Sequence, residues 1–274
     1  MPELPEVHTT IQSLLKAGLI GCTIHDVYVE WPRTVGGNPA VFRSSVIDRR
    51  IEAVRRRGKY ILIRLQPAGW LVVHLRMSGR LLLTATEPGE YVRSAVKLSD
   101  TRWLCLYAPR RFARMEYADS VDLLDRRLGV EPLSEDFDAE ELMKLVVGRR
   151  TAIKAFLLDQ TCIAGIGNIY ADESLFTAGI HPLTETRRLK KNDCERLSAA
   201  IREVLQRGIG NLGTSLGTGK SNFSLPSGET GRNQEDIRVF RRTGLPCIRC
   251  GTPIKRSKAA QRSTHFCPVC QPSL

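Results

Sequence analysis

Apolar positions recur with two different spacings along this 274-residue chain. From about residue 23 to 118 they alternate with polar positions, as at residues 23–29 and 46–65, and alternation is the pattern of half-buried strands. Further strands are predicted over residues 70–77 and 95–107. Turn residues separate these runs at Gly79, at Pro88-Gly89 and at Ser99-Asp100. Strands of this length and spacing predict an N-terminal β-sandwich.

The spacing is helical in two other parts of the chain. Residues 8–18 predict a first helix with its apolar side chains on one face, and the helical period returns after about residue 130. There, Asp138-x-x-Glu141 and Asn192-x-x-Glu195 each predict the N-terminal cap of a helix, with another helix between them. The whole chain is therefore expected to be of the α+β class.

The charge of the chain indicates the kind of partner that it binds. Its 41 lysines and arginines against 29 acidic residues give a net charge of +12 and a pI of about 9.6. Such a surplus favours a polyanion, nucleic acid before membrane. No run approaches the roughly 18 apolar residues of a membrane span, and the acidic, proline-containing N-terminus does not resemble a signal peptide. A cytoplasmic protein is expected.

Four of the eight cysteines form a compact pattern near the C-terminus. They are spaced as two CxxC pairs separated by 16 residues, which places four thiolates within reach of one Zn²⁺. Because four protein ligands leave no open position, the ion is expected to be structural. Free or disulfide-bonded thiols are the alternative, and a reducing compartment disfavours it. The predicted ligands are Cys247, Cys250, Cys267 and Cys270.

The first residues carry a candidate nucleophile. Met1 precedes a small residue, so its removal is expected, and Pro2 would then carry a free secondary amine. An α-amino group has a pKa of about 7.7–8.0, which leaves part of it uncharged near neutral pH and able to attack carbon. Glu3 lies beside it and can transfer protons. Taken alone, the stretch also fits a terminus that Pro2 and Pro5 merely stiffen.

Five motifs together resemble one known family. They are PELPEV at residues 2–7, HLRMSG at 74–79, PRRF at 109–112, AGIGNIYADE at 164–173, and QRST at 261–264 within the cysteine module. In this order, and over nearly the whole chain, they resemble the bacterial formamidopyrimidine-DNA glycosylases. The resemblance implies a catalytic β-sandwich at residues 1–130, a helix-two-turn-helix domain with a lesion-recognition loop at 131–232, and a zinc finger at 233–274.

The same resemblance implies a function in base excision repair. Such a protein is a bifunctional DNA glycosylase and abasic-site lyase that removes 8-oxoguanine and formamidopyrimidines and cleaves the strand by β,δ-elimination. Pro2 would attack the sugar as nucleophile, Glu3 would supply protons and Glu6 would position the sugar. Lys59 would assist the elimination, and Arg262 would grip the phosphates beside the lesion. Without the resemblance, Lys59 is better explained as one member of a run of solvated charges, and Arg262 is also explained as a solvated charge.

Further residues acquire roles only through this resemblance. The implied partner is double-stranded DNA with damaged bases or abasic sites, bound by a monomer that associates with the nucleoid. By themselves, Met77 and Phe112 fit core positions and Asn168 fits a helix cap. The implied DNA-binding residues are Arg93, Arg110, Arg149 and Asn168. The residues implied to fill the gap left by the damaged base are Met77, Arg110 and Phe112.

Four positions differ from the family pattern. Arg76 and Arg241 stand where glycine is common, and Ala108 and Ala113 flank the PRRF motif where aspartate and glycine are usual. These differences concern the backbone geometry near the gap-filling residues and the zinc module, not the proposed catalytic residues.

Two alternatives to this function remain open at the level of the sequence. One is an endonuclease VIII-like glycosylase for oxidised pyrimidines, which Leu4 and the gap-filling residues disfavour. The other is a non-catalytic zinc-containing DNA-binding protein, which would not need the Pro2-Glu3 pair. The polar, glycine-rich residues 214–232 are expected to read a flipped 8-oxoguanine, closing only when the base arrives.

Overall fold

The structure, a computed structural model, describes residues 1–216 and 223–273. The chain folds as two compact units. The first comprises Met1–Arg126 together with Asn211–Gln234, and the second comprises Arg127–Gly210 together with Glu235–Leu274. Residues 217–222, in the middle of the expected recognition loop, lie outside the described part of the chain. The division into three domains stays a prediction.

Eight strands of the first unit form two antiparallel sheets of four strands each. Their orders are β1-β6-β7-β5 and β2-β3-β4-β8. Apolar side chains from both sheets, such as Ile61 and Val96, belong to one buried cluster, to which the first helix adds Val7. The predicted β-sandwich is therefore confirmed. The strands are β1 (Ile24–Val29), β2 (Arg50–Arg57), β3 (Tyr60–Gln66), β4 (Trp70–His74), β5 (Arg80–Thr84), β6 (Val92–Leu98), β7 (Trp103–Tyr107) and β8 (Arg114–Ala118).

Helix α1 (Leu4–Lys16) begins four residues earlier than the predicted first helix. Glu3 is its N-cap, and a capping box joins Glu3 and Glu6: each side chain accepts the backbone N–H of the other. Pro5 fits because the first helical turn needs no internal N–H donor. A second helix, α2 (Pro39–Val46), also was not predicted; Asn38 caps it by accepting the amides of the next turn.

The second unit is mainly helical. Asp138 caps α4 as predicted, accepting the amide of Glu141 at 2.7 Å. The predicted cap at Asn192 is wrong, because α7 already begins at Lys191 and Asp193 accepts the amide of Lys190 at 2.8 Å. The helices are α3 (Asp122–Arg127, at the boundary of the units), α4 (Ala139–Val146), α5 (Ile153–Leu158), α6 (Asn168–Ala178) and α7 (Lys191–Gly210). None of the helices in the described ranges is long and apolar enough to cross a membrane.

A zinc-module hairpin packs against the most buried helix of this unit. Helix α6 runs from the cap residue Gly167 to Gly179, which ends it in the left-handed conformation at φ 69°. Its side chains are buried almost all round, as expected of a helix enclosed by its neighbours. Strands β9 (Lys255–Ala259) and β10 (Arg262–Phe266) form the hairpin, and β10 contacts α6.

Candidate active site and nucleic-acid interface

The N-terminal segment of the first unit is buried and tightly hydrogen-bonded. Pro2, Glu3 and Glu6 are all buried. The Glu6 carboxylate accepts two backbone amides, that of Glu3 at 2.7 Å and that of Thr214 at 2.7 Å. Glu6 therefore links the start of the chain to the start of the expected recognition loop, 208 residues away.

Four charged groups surround the start of the chain. Burial lowers the pKa of the terminal amine, which Met1 carries here; Glu3 and Glu6 oppose the shift, while Lys59 and Arg110 add to it. A lowered pKa leaves more of an amine uncharged at neutral pH. The structure thus brings together, around the terminal amine, residues that the sequence supplies from separate motifs.

Lys59 and His74 occupy neighbouring strand ends. Lys59 is buried in the two-residue turn between β2 and β3, which Gly58 closes at φ 53°. His74 ends β4, and its ring meets the Tyr60 ring edge-on at 4.5 Å. Its Nδ1 accepts the amide of Arg76 at 3.0 Å, so the proton of the neutral ring is on Nε2.

His74 is a candidate site residue that the sequence analysis did not assign. Burial, followed by the charges of Arg76 and Lys59, lowers its pKa to about 3. The ring is therefore neutral at physiological pH and can donate only from Nε2. The available signal was its position at the start of the HLRMSG motif.

The gap-filling residues predicted from the resemblance are exposed. Met77 and Phe112 are 50% and 53% exposed, which rules out the core positions that their apolar character alone suggested. Arg110 donates from Nε to Ser78 Oγ at 3.0 Å and from Nη2 to the Met77 carbonyl at 2.9 Å. These two bonds fix the guanidinium beside the Met77 backbone, so a cation and an apolar side chain are presented together.

The structure accommodates all four departures from the family pattern. Arg76 and Arg241 both have left-handed backbones, at φ 53° and φ 58°, where glycine is conformationally free and other residues are strained. Ala108 and Ala113 are buried within the sandwich core. The glycines that are common at two of these positions are thus explained by backbone conformation.

Arg93 and Arg149 differ in their surroundings. The Arg93 side chain is buried, pairs with Glu30 at 2.8 Å and donates to the Ala108 carbonyl at 3.1 Å. Arg149 is exposed, with its guanidinium 5.8 Å from the centre of the Phe156 ring. Their implied role in DNA binding stays a prediction.

The two described ends of the expected recognition loop are anchored. Ser215 Oγ donates to the Phe223 carbonyl at 2.7 Å and accepts the Gly231 amide at 2.9 Å. Phe223 is buried, and Arg80 donates to Ser224 Oγ at 2.9 Å while stacking on a tyrosine ring. Specific hydrogen bonds therefore hold the two described ends of this polar segment together.

The second unit contains a pocket suited to an anion. It has a volume of about 580 Å³, contains three arginines and has no acidic residue in its lining. Asn168, the first residue of α6, lies here together with Arg262 of β10. Helix N-termini favour anions because their amides are unsatisfied. The lining residues are Asn168, Phe240, Arg241, Thr243, Arg256, Gln261, Arg262, Ser263 and His265.

A buried ion pair holds this pocket together. Lys154 Nζ lies 2.6 Å from Asp172 Oδ1, with both side chains fully buried, and donates to the Ser263 carbonyl at 2.8 Å. The same carbonyl accepts Asn168 Nδ2 at 3.1 Å. Asp172 Oδ2 in turn accepts the His265 amide at 3.1 Å. Helix α6 and strand β10 are therefore locked together at the residues that line the pocket.

The four clustered cysteines fit a single zinc ion. Their Sγ atoms all lie within 4.8 Å of one another, with Cys247 and Cys270 at 3.9 Å and Cys250 and Cys267 at 3.4 Å. Tetrahedral thiolates about 2.3 Å from zinc would be about 3.8 Å apart. The spacing of the sulfur atoms and the soft donor set thus suit a closed structural site.

Three family models match the chain in sequence order. The model of the formamidopyrimidine-DNA glycosylase N-terminal domain matches residues 1–115, and that of the family's H2TH domain matches residues 128–219. A zinc finger found in FPG and IleRS matches residues 244–272. The chain belongs to the formamidopyrimidine-DNA glycosylase family. The predicted fold class and the structural zinc ion are confirmed with it.

Relatives of this glycosylase family match over almost their whole length. The formamidopyrimidine-DNA glycosylase of Chloroflexus aggregans is 45% identical over 276 residues, covering 99% of this chain and 98% of its own. That of Herpetosiphon aurantiacus is 43% identical, covering 99% and 100%.

Solved structures of the glycosylase family give the same result. MutM (Fpg) from Thermus thermophilus has a TM-score of 0.89 and 38% identity, with both chains fully covered. Lactococcus lactis Fpg, in a complex with DNA containing an abasic site, has a TM-score of 0.90 and 34% identity, covering 99% of this chain and 100% of its own.

Proposed function

We propose that this chain excises 8-oxoguanine and formamidopyrimidines from double-stranded DNA and then cleaves the strand, with Pro2 as the nucleophile. The observation that carries the proposal is the group of Glu3, Glu6, Lys59 and Arg110 around the terminal amine, next to the buried Pro2. Membership of a family of base excision repair glycosylases supports it.

The proposed reaction begins when Met1 has been removed. The Pro2 nitrogen attacks the sugar C1′ and loses its proton, while the glycosidic bond breaks and the departing base takes up one proton. Opening of the C1′–O4′ bond then gives an iminium, and Glu3 is placed to give O4′ its proton. The cationic iminium acidifies the C2′ proton, and loss of this proton expels the 3′-phosphate. Loss of the C4′ proton from the conjugated iminium then expels the 5′-phosphate by δ-elimination.

The neighbouring residues support these steps in different ways. Glu6 is fully engaged with the amides of Glu3 and Thr214, so it positions the reacting segment. Lys59 and the Nε2–H of His74 supply one cation and one neutral donor for the flanking phosphates. The neutral state of His74 follows from its depressed pKa.

DNA binding is assigned to both units separately. In the first unit, exposed Met77 and Phe112, with Arg110 held beside them, fill the space of an extruded base, because unstacking requires an apolar wedge and a cation. In the second unit, Arg262 and Asn168 grip backbone phosphates from the pocket described above. We place the protein in the bacterial cytoplasm, on the nucleoid.

Borohydride trapping tests the nucleophile. The protein is incubated with a duplex that contains one 8-oxoguanine, reduced, digested and mapped by mass spectrometry; the adduct is expected at Pro2. A variant with one alanine inserted between Met1 and Pro2 is the matched control, since it keeps every side chain but denies Pro2 a free nitrogen. An adduct on Lys59, or undiminished trapping by the control, would contradict the proposal.

A further inference from the structure

The anion pocket of the second unit holds more positive charge than the proposed function uses. Arg241, Arg256 and Arg262 all line it and are all exposed. Within residues 1–216 and 223–273, neither Arg241 nor Arg262 forms an ion pair, and the Arg256 guanidinium donates to the hydroxyl of Ser263 at 2.7 Å. Three guanidinium groups in one pocket repel one another unless anions lie between them.

The backbone at Arg241 is held in place from the preceding residues. The buried carboxylate of Glu173, on α6, accepts the amides of Arg238, Val239 and Phe240, each at 2.9 Å. These three bonds fix the chain immediately before Arg241, whose own φ is 58°. A non-glycine residue held in this conformation is a reason to look for a function of its side chain.

The charge balance indicates how many phosphates the pocket takes. A DNA phosphodiester carries one negative charge. A single phosphate gripped by Arg262 and Asn168 would leave two uncompensated guanidinium groups within a pocket of about 580 Å³. Consecutive phosphates along one strand would compensate them.

We propose that Arg241 binds a second backbone phosphate, next to the one held by Arg262 and Asn168. The inference rests on the proposed function, because it assigns a further DNA contact to the same pocket. Glycine is common at this position in the family, so the contact would distinguish this chain from many of its relatives.

The salt dependence of DNA binding tests the proposal. The dissociation constant of a duplex with a stable abasic-site analogue is measured between 50 and 200 mM salt for the full-length, zinc-loaded protein. Arg241→Gly should make the log–log slope shallower by about 0.9, the value for one phosphate. Across this range, the affinity ratio of parent to variant should then fall about threefold. Arg241→Lys should retain most of the slope.

The control variants separate this inference from the proposed function. Lys258→Ala removes one exposed charge from the same module outside the pocket and should leave the slope close to that of the parent. Arg262→Ala tests the phosphate grip itself. An unchanged slope for Arg241→Gly, or an equal change for Lys258→Ala, overturns the role of Arg241 alone. Unchanged slopes for both Arg262→Ala and Arg241→Gly overturn the proposed phosphate site as a whole.

Discussion

Lowering the pH should destabilise the first unit through His74. Burial and the nearby charges of Arg76 and Lys59 lower its pKa from the ordinary value of 6.5 to about 3. Below pH 6.5, His74 of the unfolded chain therefore binds a proton, whereas His74 of the folded chain stays neutral. Since the unfolded state binds more protons, the free energy of unfolding falls as the pH is lowered, until the folded pKa of about 3 is reached.

The size of this effect follows from the two pKa values. Each unit of difference corresponds to about 1.4 kcal/mol, so between pH 7 and pH 5 the free energy of unfolding should fall by about 2 kcal/mol through His74 alone. With a denaturant dependence of about 1–3 kcal/mol per molar urea, the unfolding midpoint should move by about 1 M.

Tryptophan fluorescence measures this unit selectively. The chain has three tryptophans, Trp31, Trp70 and Trp103, and all belong to the first unit. Urea unfolding at pH 7 and pH 5 should be compared between the parent and His74→Asn, whose amide oxygen can still accept the Arg76 amide. The variant should lose about 2 kcal/mol less than the parent on acidification. His25→Asn, at an exposed histidine, is the control for the substitution. Equal losses in parent and His74→Asn would refute the reasoning.

Three further outcomes are expected. Cys250→Ser should release zinc, measured by mass spectrometry of metals, and weaken DNA binding while the tryptophan signal of the first unit stays native, because metal binding folds such modules. Lys154→Met should lower the free energy of unfolding by about 3–5 kcal/mol, measured by urea unfolding followed by far-ultraviolet circular dichroism, since it removes the lysine partner of the buried Asp172 carboxylate; the exposed Lys144→Met should change it little. Glu6→Gln has one acceptor oxygen for two amides, so excision of 8-oxoguanine should slow about tenfold, and more than cleavage at a preformed abasic site.

The features predicted well from the sequence are those with a short-range signal. Alternation gave the sandwich, and the spacing of the cysteines gave the zinc site, because each depends on residues close together in the chain. Some local signals were present but not used. Asn38-Pro39 is a cap followed by proline at the first helical position, yet α2 was not predicted. Strands β5 and β8 were not predicted individually: β5 contains three consecutive leucines and shows no alternation, and β8 alternates over only five residues.

The site itself depends on contacts that no local pattern contains. Glu6 meets Thr214 across 208 residues, and Lys154 meets Ser263 across 109. Periodicity cannot pair such positions: the chemistry of a free terminal amine suggested Pro2, but only the resemblance suggested that Lys59 acts with it. It also did not indicate the additional arginines of the anion pocket, because they become related only when the chain turns at Phe240 and β9 pairs with β10.

The departure at Arg76 shows how a single non-glycine residue can affect this chemistry. Its left-handed backbone and its hydrogen bond to His74 Nδ1 are both available to a glycine, so neither requires the side chain. The arginine side chain matters through its charge, which after burial is the largest cause of the lowered pKa of His74. Glycine at position 76 would thus keep the His74 tautomer but raise that pKa toward its ordinary value. Arginine at this position therefore keeps the His74 ring neutral further into the acidic range, in the state that the proposed hydrogen bond to a phosphate requires.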